Sequence, residues 1–180
     1  TLETIDEYAF FGASYLSQLK LPESLTTIGL DAFAHAYSLK QIDLPESLIS
    51  IGSAAFYGAS SLKSLRIPSN VVNIGNQAFQ DCTGLTSVVF LNSMDTIEWD
   101  TFSGCTSLTS VTLPSTLLTI ASRAFENCTS LNEIQLPDSI ECLWEHAFYN
   151  CSNLTSVNYP KAWHYTVGNR SPFEGCAITN

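Results

Sequence analysis

The sequence predicts a repeat solenoid with short parallel β-strands stacked on its inner face. Three observations predict it. Phe10, Phe33, Phe56, Phe79, Phe102, Phe125 and Phe148 fall at a strict spacing of 23 residues. Ile5, Ile28, Ile51, Ile74, Ile97, Ile120 and Leu143 stand five residues before them, and Leu16, Leu39, Leu62, Leu85, Leu108, Leu131 and Leu154 stand six after. Pro22, Pro45, Pro68, Pro114, Pro137 and Pro160 keep the same register, which Leu91 breaks once. So short a unit cannot bury its own apolar face; stacking turns each column into a ladder inside one shared core. Seven units occupy residues 1–162, above the roughly three that such arrays need.

Within a unit, Leu-x-x-Ile-x-Leu-Pro reads as a strand. Leu19, Ile42, Leu65, Val88, Val111, Ile134 and Val157 point inward. The proline has no N–H to give to a ladder, so it marks where pairing stops. Neighbouring strands about 4.8 Å apart form a parallel sheet. The other half of the unit, such as Ile51-Gly52-Ser53-Ala54-Ala55-Phe56, carries the chain back on the outer side. A tight turn, a short helical piece and an extended piece all fit that stretch.

Residues 163–180 read as a degenerate eighth unit or a C-terminal cap. The period slips by two after Lys161, and Phe173-Glu174-Gly175-Cys176 restores the signature. Trp163 aligns with the core column of Leu25, Leu48 and Leu117 and is expected to be buried. The chain opens at Thr1, one residue into a unit, which reads as a mature protein or an excised fragment.

Composition narrows the partners. The chain is 45% hydrophobic and 13% charged, the balance of a folded protein. Its 17 acidic and 7 basic residues give a net charge of −10, with no Lys/Arg cluster. Nucleic acid and anionic membrane surfaces are therefore not expected partners. No apolar run approaches the roughly 20 residues of a bilayer span, so this segment is not expected to insert into a membrane.

The unit L-x-x-I-x-L-P-x-S-L-x-x-I-G-x-x-A-F-x-x-C, seen well from Leu39 to Ala59 with Ala59 in the place of Cys, resembles the BspA-like (treponemal-type) class of leucine-rich repeats. The resemblance covers residues 2–162. It implies a curved solenoid of the leucine-rich-repeat type. It also implies a secreted or cell-surface protein that takes part in adhesion by binding extracellular host proteins. An intracellular protein-interaction scaffold and a structural spacer within a larger surface protein are the alternatives.

The candidate partner-binding residues flank the inward strand position and point outward from the inner face. They are Gln18 and Lys20, Gln41 and Asp43, Ser64 and Arg66, Ser87 and Val89, Ser110 and Thr112, Glu133 and Gln135, and Ser156 and Asn158. This row is polar and carries no aromatic anchor of the kind that dominates tight interfaces. Trp99 lies just before its repeat phenylalanine and has no core equivalent, which makes it a candidate exposed contact.

Cys82, Cys105, Cys128, Cys151 and Cys176 all stand three residues after the repeat phenylalanine, where the first three units have Ala13, Ala36 and Ala59. Exchange of Cys with Ala points to a small buried slot holding reduced thiols. Cys142 shares a column with Thr27, Ser50 and Asn73 and is expected to be accessible. Unit five departs most from the pattern, with Leu91 for Pro, Glu98 for Gly and Thr101 for Ala. Asp95, Glu98 and Asp100 gather there without a calcium-loop spacing. Asp100 stacks with Arg123 and His146, which predicts a surface ion pair.

Chemistry is not written in the repeat. His35, His146 and His164 fall in three different columns, and no hydrolase, zinc or phosphate-loop motif occurs, so neither catalysis nor a cofactor is expected. Four Asn-x-Ser/Thr sequons, at Asn127, Asn150, Asn153 and Asn169, lie where Asn, Ser and Thr are common in the turns.

Overall fold

A computed structural model describes residues 1–91, 93–161, 163 and 165–179, and of residues 165 and 166 the backbone only. Ala162, where the seventh unit ends, and His164 lie outside the described residues. Each unit contributes two short strands rather than one. The first ladder comprises β2 (Gln18–Leu19), β4 (Gln41–Ile42), β6 (Ser64–Ile67), β8 (Ser87–Phe90), β10 (Ser110–Thr112), β12 (Glu133–Ile134) and β14 (Ser156–Val157). The second comprises β1 (Thr4–Ile5), β3 (Thr27–Ile28), β5 (Ser50–Ile51), β7 (Asn73–Ile74), β9 (Thr96–Ile97), β11 (Thr119–Ile120), β13 (Cys142–Trp144) and β15 (Tyr165–Val167). Pairing within both ladders is parallel and joins residues one period apart, as with Leu65 beside Val88 and Ile28 beside Ile51.

Proline ends the first ladder as its chemistry requires. Pro22, Pro45, Pro68, Pro114 and Pro137 each accept, through their carbonyl, the N–H of the core residue three positions on, closing a tight turn into the second strand. Leu91 is the informative exception. Its N–H donates to Ile67 O at 3.0 Å, and β6 and β8 are the four-residue strands. Where the N–H is restored, the ladder lengthens.

The outer half of the unit is neither helix nor regular strand. Alternate residues donate to different partners. Asp31, Phe33 and His35 donate to Ser53 O, Ala55 O and Tyr57 O of the next unit at 3.0, 2.7 and 2.7 Å. Ala32, Ala34 and Ala36 donate back within the turn to Gly29 O, Asp31 O and Phe33 O. This alternation satisfies the backbone without a helix, and no helix occurs among the described residues. It also imposes a left-handed backbone at two columns. Two residues before the phenylalanine stand Asp31, Ala54, Gln77, Asp100, Arg123 and His146, with φ from 51° to 63°. Two after it stand Gly12, His35, Gly58, Asp81, Gly104, Asn127, Asn150 and Gly175, also with positive φ.

The core is one continuous cluster. The repeat phenylalanines stack ring on ring from Phe10 to Phe148, with centroids 5.0 to 5.5 Å apart and planes within 12° of parallel. Phe173 continues the stack on Phe148 at 5.3 Å. Phe33 to Phe148 are fully buried, whereas Phe10, in the first unit, is only half-buried. Trp163 is half-buried rather than fully so. It packs against the core, stacks on Tyr159 at 5.6 Å and meets Phe173 edge-on at 6.2 Å. The next full turn that buries this column elsewhere is replaced here by the slipped segment.

The second ladder is interrupted between β7 and β9, and the first between β4 and β6 and between β10 and β12. The break after β7 coincides with the end of a glycine column. A Cβ on Gly52 would lie 2.6 Å from Gly29 C and Leu30 N, and one on Gly75 would strike Ser53 N. Units two to four are thus in backbone contact at this column. Glu98, Ala121 and Trp144 carry a Cβ at the same column from unit five onward.

Candidate binding face

Alternation along the first ladder decides what the inner face displays. In β6 the burial pattern places Leu65 and Ile67 inside and Ser64 and Arg66 outside. Gln18, Lys20, Gln41, Asp43, Ser64, Arg66, Val89, Ser110, Thr112, Glu133, Gln135 and Ser156 are exposed, and Ser87 is half-buried. Asn158 behaves differently. Its side-chain amide accepts from Leu136 N–H at 2.6 Å and donates to Leu136 O at 2.7 Å. The backbone pairing of β12 with β14 ends at Ile134 and Val157, and the Asn158 side chain continues it, so its polar atoms are engaged within the fold.

The charged part of this face lies in units one to three. Gln41 Nε2 donates to both carboxylate oxygens of Asp43, at 3.0 and 3.2 Å. Arg66 Nη1 donates to Glu46 Oε1 at 2.8 Å, and Ser69 Oγ donates to Glu46 Oε2 at 3.2 Å. The hydrogen bond from Arg66 holds the Glu46 carboxyl below the usual carboxylate range. Gln18, Lys20, Glu23, Gln41 and Asp43 line an open depression of about 540 Å³ at the head of the ladder. From unit four onward the row is short and mostly uncharged, so the face is electrostatically uneven along its length.

Trp99 is 49% exposed. Its ring centroid lies 5.9 Å from that of Trp144, two units away and tilted by 55°. It lies in the turn that follows β9, outside the strands of the first ladder.

The thiol column is buried as its exchange with alanine predicts. Cys82, Cys105, Cys128 and Cys151 are inaccessible, and Cys176 is half-buried. Each thiol donates to a phenylalanine carbonyl of the preceding unit, as Cys82 Sγ does to Phe56 O at 3.2 Å. Burial pushes the Cys82 thiol up to about 12. Cys142 is half-exposed on β13.

The ion pair predicted for Asp100 does not form. Arg123 Nε goes instead to Glu126, 3.6 Å away in the same outer turn, and His146 Nε2 lies 3.3 Å from Glu174 Oε2. The left-handed turn at Arg123 brings the residue three positions on closer than its column neighbour. Asp100 is left half-buried, and desolvation raises its carboxyl, with the Arg123 charge opposing. Among the described residues no three metal-ligating side chains converge. Thr101, in the alanine column, is buried with its hydroxyl donating to Glu98 O at 2.7 Å. Asn127 and Asn150, two of the sequon asparagines, occupy left-handed positions that asparagine tolerates, and Asn150 Nδ2 donates to Asn127 Oδ1 at 2.7 Å.

Sequence reasoning passed over one group. Tyr8, Phe11, Tyr15 and Tyr37 are all about half or more exposed on the outer turns of the first two units. They fall in several different columns, so no single position flags them.

The two-ladder solenoid with a stacked phenylalanine column defines a leucine-rich-repeat protein, a class whose extended concave surface receives protein partners. The BspA type leucine rich repeat region matches in six copies over residues 1–98 and 73–180, and the chain belongs to that family. It is similar to a leucine-rich repeat protein of Eubacterium ventriosum, at 30% identity and a TM-score of 0.83 over 91% of this chain and 44% of that one. It is similar to another from Bacteroides ovatus, at 32% identity and a TM-score of 0.78 over 97% and 50%. A third, from T. pallidum, aligns at 29% identity and a TM-score of 0.68 over 98% and 71%. The chain thus spans about half the length of the first two relatives. No curated protein matches the sequence. Among the described residues no helix is long and apolar enough to cross a membrane.

Proposed function

We propose that this chain is a non-catalytic protein-binding module of a secreted or cell-surface adhesion protein, and that the outward row of the first ladder contacts an extracellular protein. The observation that carries the reading is the row itself. Side chains at one strand position after another are free of the core, with most of the charge in units one to three and, Glu133 apart, an uncharged row from unit four onward. Such a surface fits a large partner through many modest contacts rather than a small ligand in a pocket. Trp99 is a separate candidate contact in the turn after β9. We read residues 163–180 as a degenerate eighth unit or a C-terminal cap, a reading supported by Phe173 lying on Phe148.

Biolayer interferometry of the purified chain against a set of extracellular matrix and plasma proteins, at about 0.15 M salt, tests the proposal. Saturable binding to one of them, weakened by Arg66→Glu, is the expected outcome. Absence of binding across the set argues instead for an intracellular partner or a spacer role.

A further inference from the structure

The outer turns of units one to three carry an aromatic row that the repeat does not need. Tyr8 meets Phe11 edge-on at 5.8 Å, Phe11 meets His35 at 5.4 Å, and His35 meets Tyr57 at 5.2 Å. Tyr37 Oη is hydrogen-bonded to His35 Nδ1 at 3.0 Å, which fixes the imidazole within the row. Tyr8, Phe11 and Tyr37 nonetheless remain 52%, 51% and 49% exposed. Gly58 helps to seat the ring, since a Cβ there would press on His35 Nδ1 at 3.2 Å.

The repeat supplies its own control. In unit four the positions of Tyr8, Phe11 and His35 are held by Gln77, Gln80 and Asp81, and in unit five by Asp100, Ser103 and Gly104. Those turns have the same hydrogen-bond pattern without a ring. Folding therefore does not require the aromatics, and contiguous exposed rings of this kind mark contact surfaces.

Charge identifies the occupant. Turn segments 6–15, 29–38, 52–61 and 75–84 contain Asp6, Glu7, Asp31 and Asp81 and neither Lys nor Arg. The negative charge of Asp81, with a hydrogen bond, reaches into the row and raises the Tyr57 phenol above its ordinary range. We infer that this face binds a basic polypeptide segment, whose Lys or Arg side chains lie on the Tyr8, Phe11 and Tyr37 rings with the neighbouring carboxylates compensating their charge. Cations are drawn to the faces of aromatic rings, and a net charge of −10 steers a basic partner in from a distance. An acidic partner is repelled. A purely apolar one leaves the carboxylates desolvated and unpaired. The inference is independent of the strand-face proposal, because it concerns the opposite side of the unit.

The test is binding of the full chain to a peptide of alternating lysine and glycine, with the glutamate–glycine peptide and a neutral gluco-oligosaccharide as competitors for the same face. Variants are Tyr8→Ala with Tyr37→Ala, and Arg66→Ala on the strand face. The expected result is saturable binding of the lysine peptide alone. Its Kd rises about tenfold or more in the double aromatic variant and stays unchanged in Arg66→Ala. Four results overturn the inference: no saturable binding of the lysine peptide, equal affinity in the aromatic variant, a changed affinity in Arg66→Ala, or tighter binding of the oligosaccharide. Thermal melts of both variants verify that the fold is retained.

Discussion

Phe33 and Phe56 lie ring over ring, their centroids 5.1 Å apart and their planes 7° from parallel. Each is fully buried because the next unit covers it. Phe56→Ala is expected to destabilise the chain by about 3–5 kcal/mol, since the rings on either side have no way to close the gap. Phe10→Ala, at the half-covered end of the stack, should cost less than about 2 kcal/mol. Denaturant midpoints of the two variants check the order, and equal losses would refute a one-dimensional stack.

Gly52 and Ala121 occupy the same column on opposite sides of the break in the second ladder. Gly52→Ala places a methyl 2.6 Å from the backbone of Gly29 and Leu30 and is expected to cost about 1–3 kcal/mol or more. Ala121→Gly creates no clash; it deletes a buried methyl and loosens the chain, and should cost about 1–2 kcal/mol. Thermal unfolding ranks the pair, with the larger loss expected for Gly52→Ala.

Ala54 adopts φ of 52°, a conformation that an L side chain resists. Ala54→Gly should therefore stabilise the protein by about 1 kcal/mol. At Ala78, which is buried and has no positive φ, the same change should destabilise it. A rise in melting temperature for the first variant and a fall for the second is the expected pair of results.

The thiols divide by burial. Under native conditions near neutral pH, Cys142 should alkylate first, and Cys82, Cys105 and Cys128 should resist until the chain unfolds. Intact mass after timed iodoacetamide treatment reads this directly. The same burial sets an alkaline limit. Cys82 moves from 9.0 to about 12 on folding, so below pH 9 it makes stability no more pH-dependent. Between 9 and 12 the unfolded thiol ionises while the folded one stays protonated, and stability falls by about 1.4 kcal/mol per pH unit for each such thiol. Cys82→Ala should flatten that slope.

The period exposed the core columns, the first strand and its outward row, because identical residues one unit apart can share a core only by stacking. The second strand was harder to see. Segments such as Thr27–Ile28 are two residues long, and their pairing lies wholly with neighbours a period away. Of the two left-handed columns, the one with Gly12, His35, Gly58 and Asp81 carries a turn-like composition that a reader could find. The other, with Ala54, Gln77 and Arg123, shares no chemistry at all; hydrogen bonds to the next unit impose it. Asn158 looked like any other outward residue, and only the end of pairing beyond Ile134 turned its amide toward Leu136. Arg123 was assigned to the wrong carboxylate because column neighbours compete with partners three residues along the same turn.

Whether the proposed strand face binds protein is decided by affinity measurements on variants of its outward row. Arg66→Glu and Ser110→Arg alter exposed side chains in the middle of the row and leave the core intact. If the chain binds a matrix or plasma protein through this row, each variant is expected to raise that Kd by about tenfold or more, with melting temperatures unchanged. Full affinity in both variants would contradict the proposal and remove the first ladder as the contact surface.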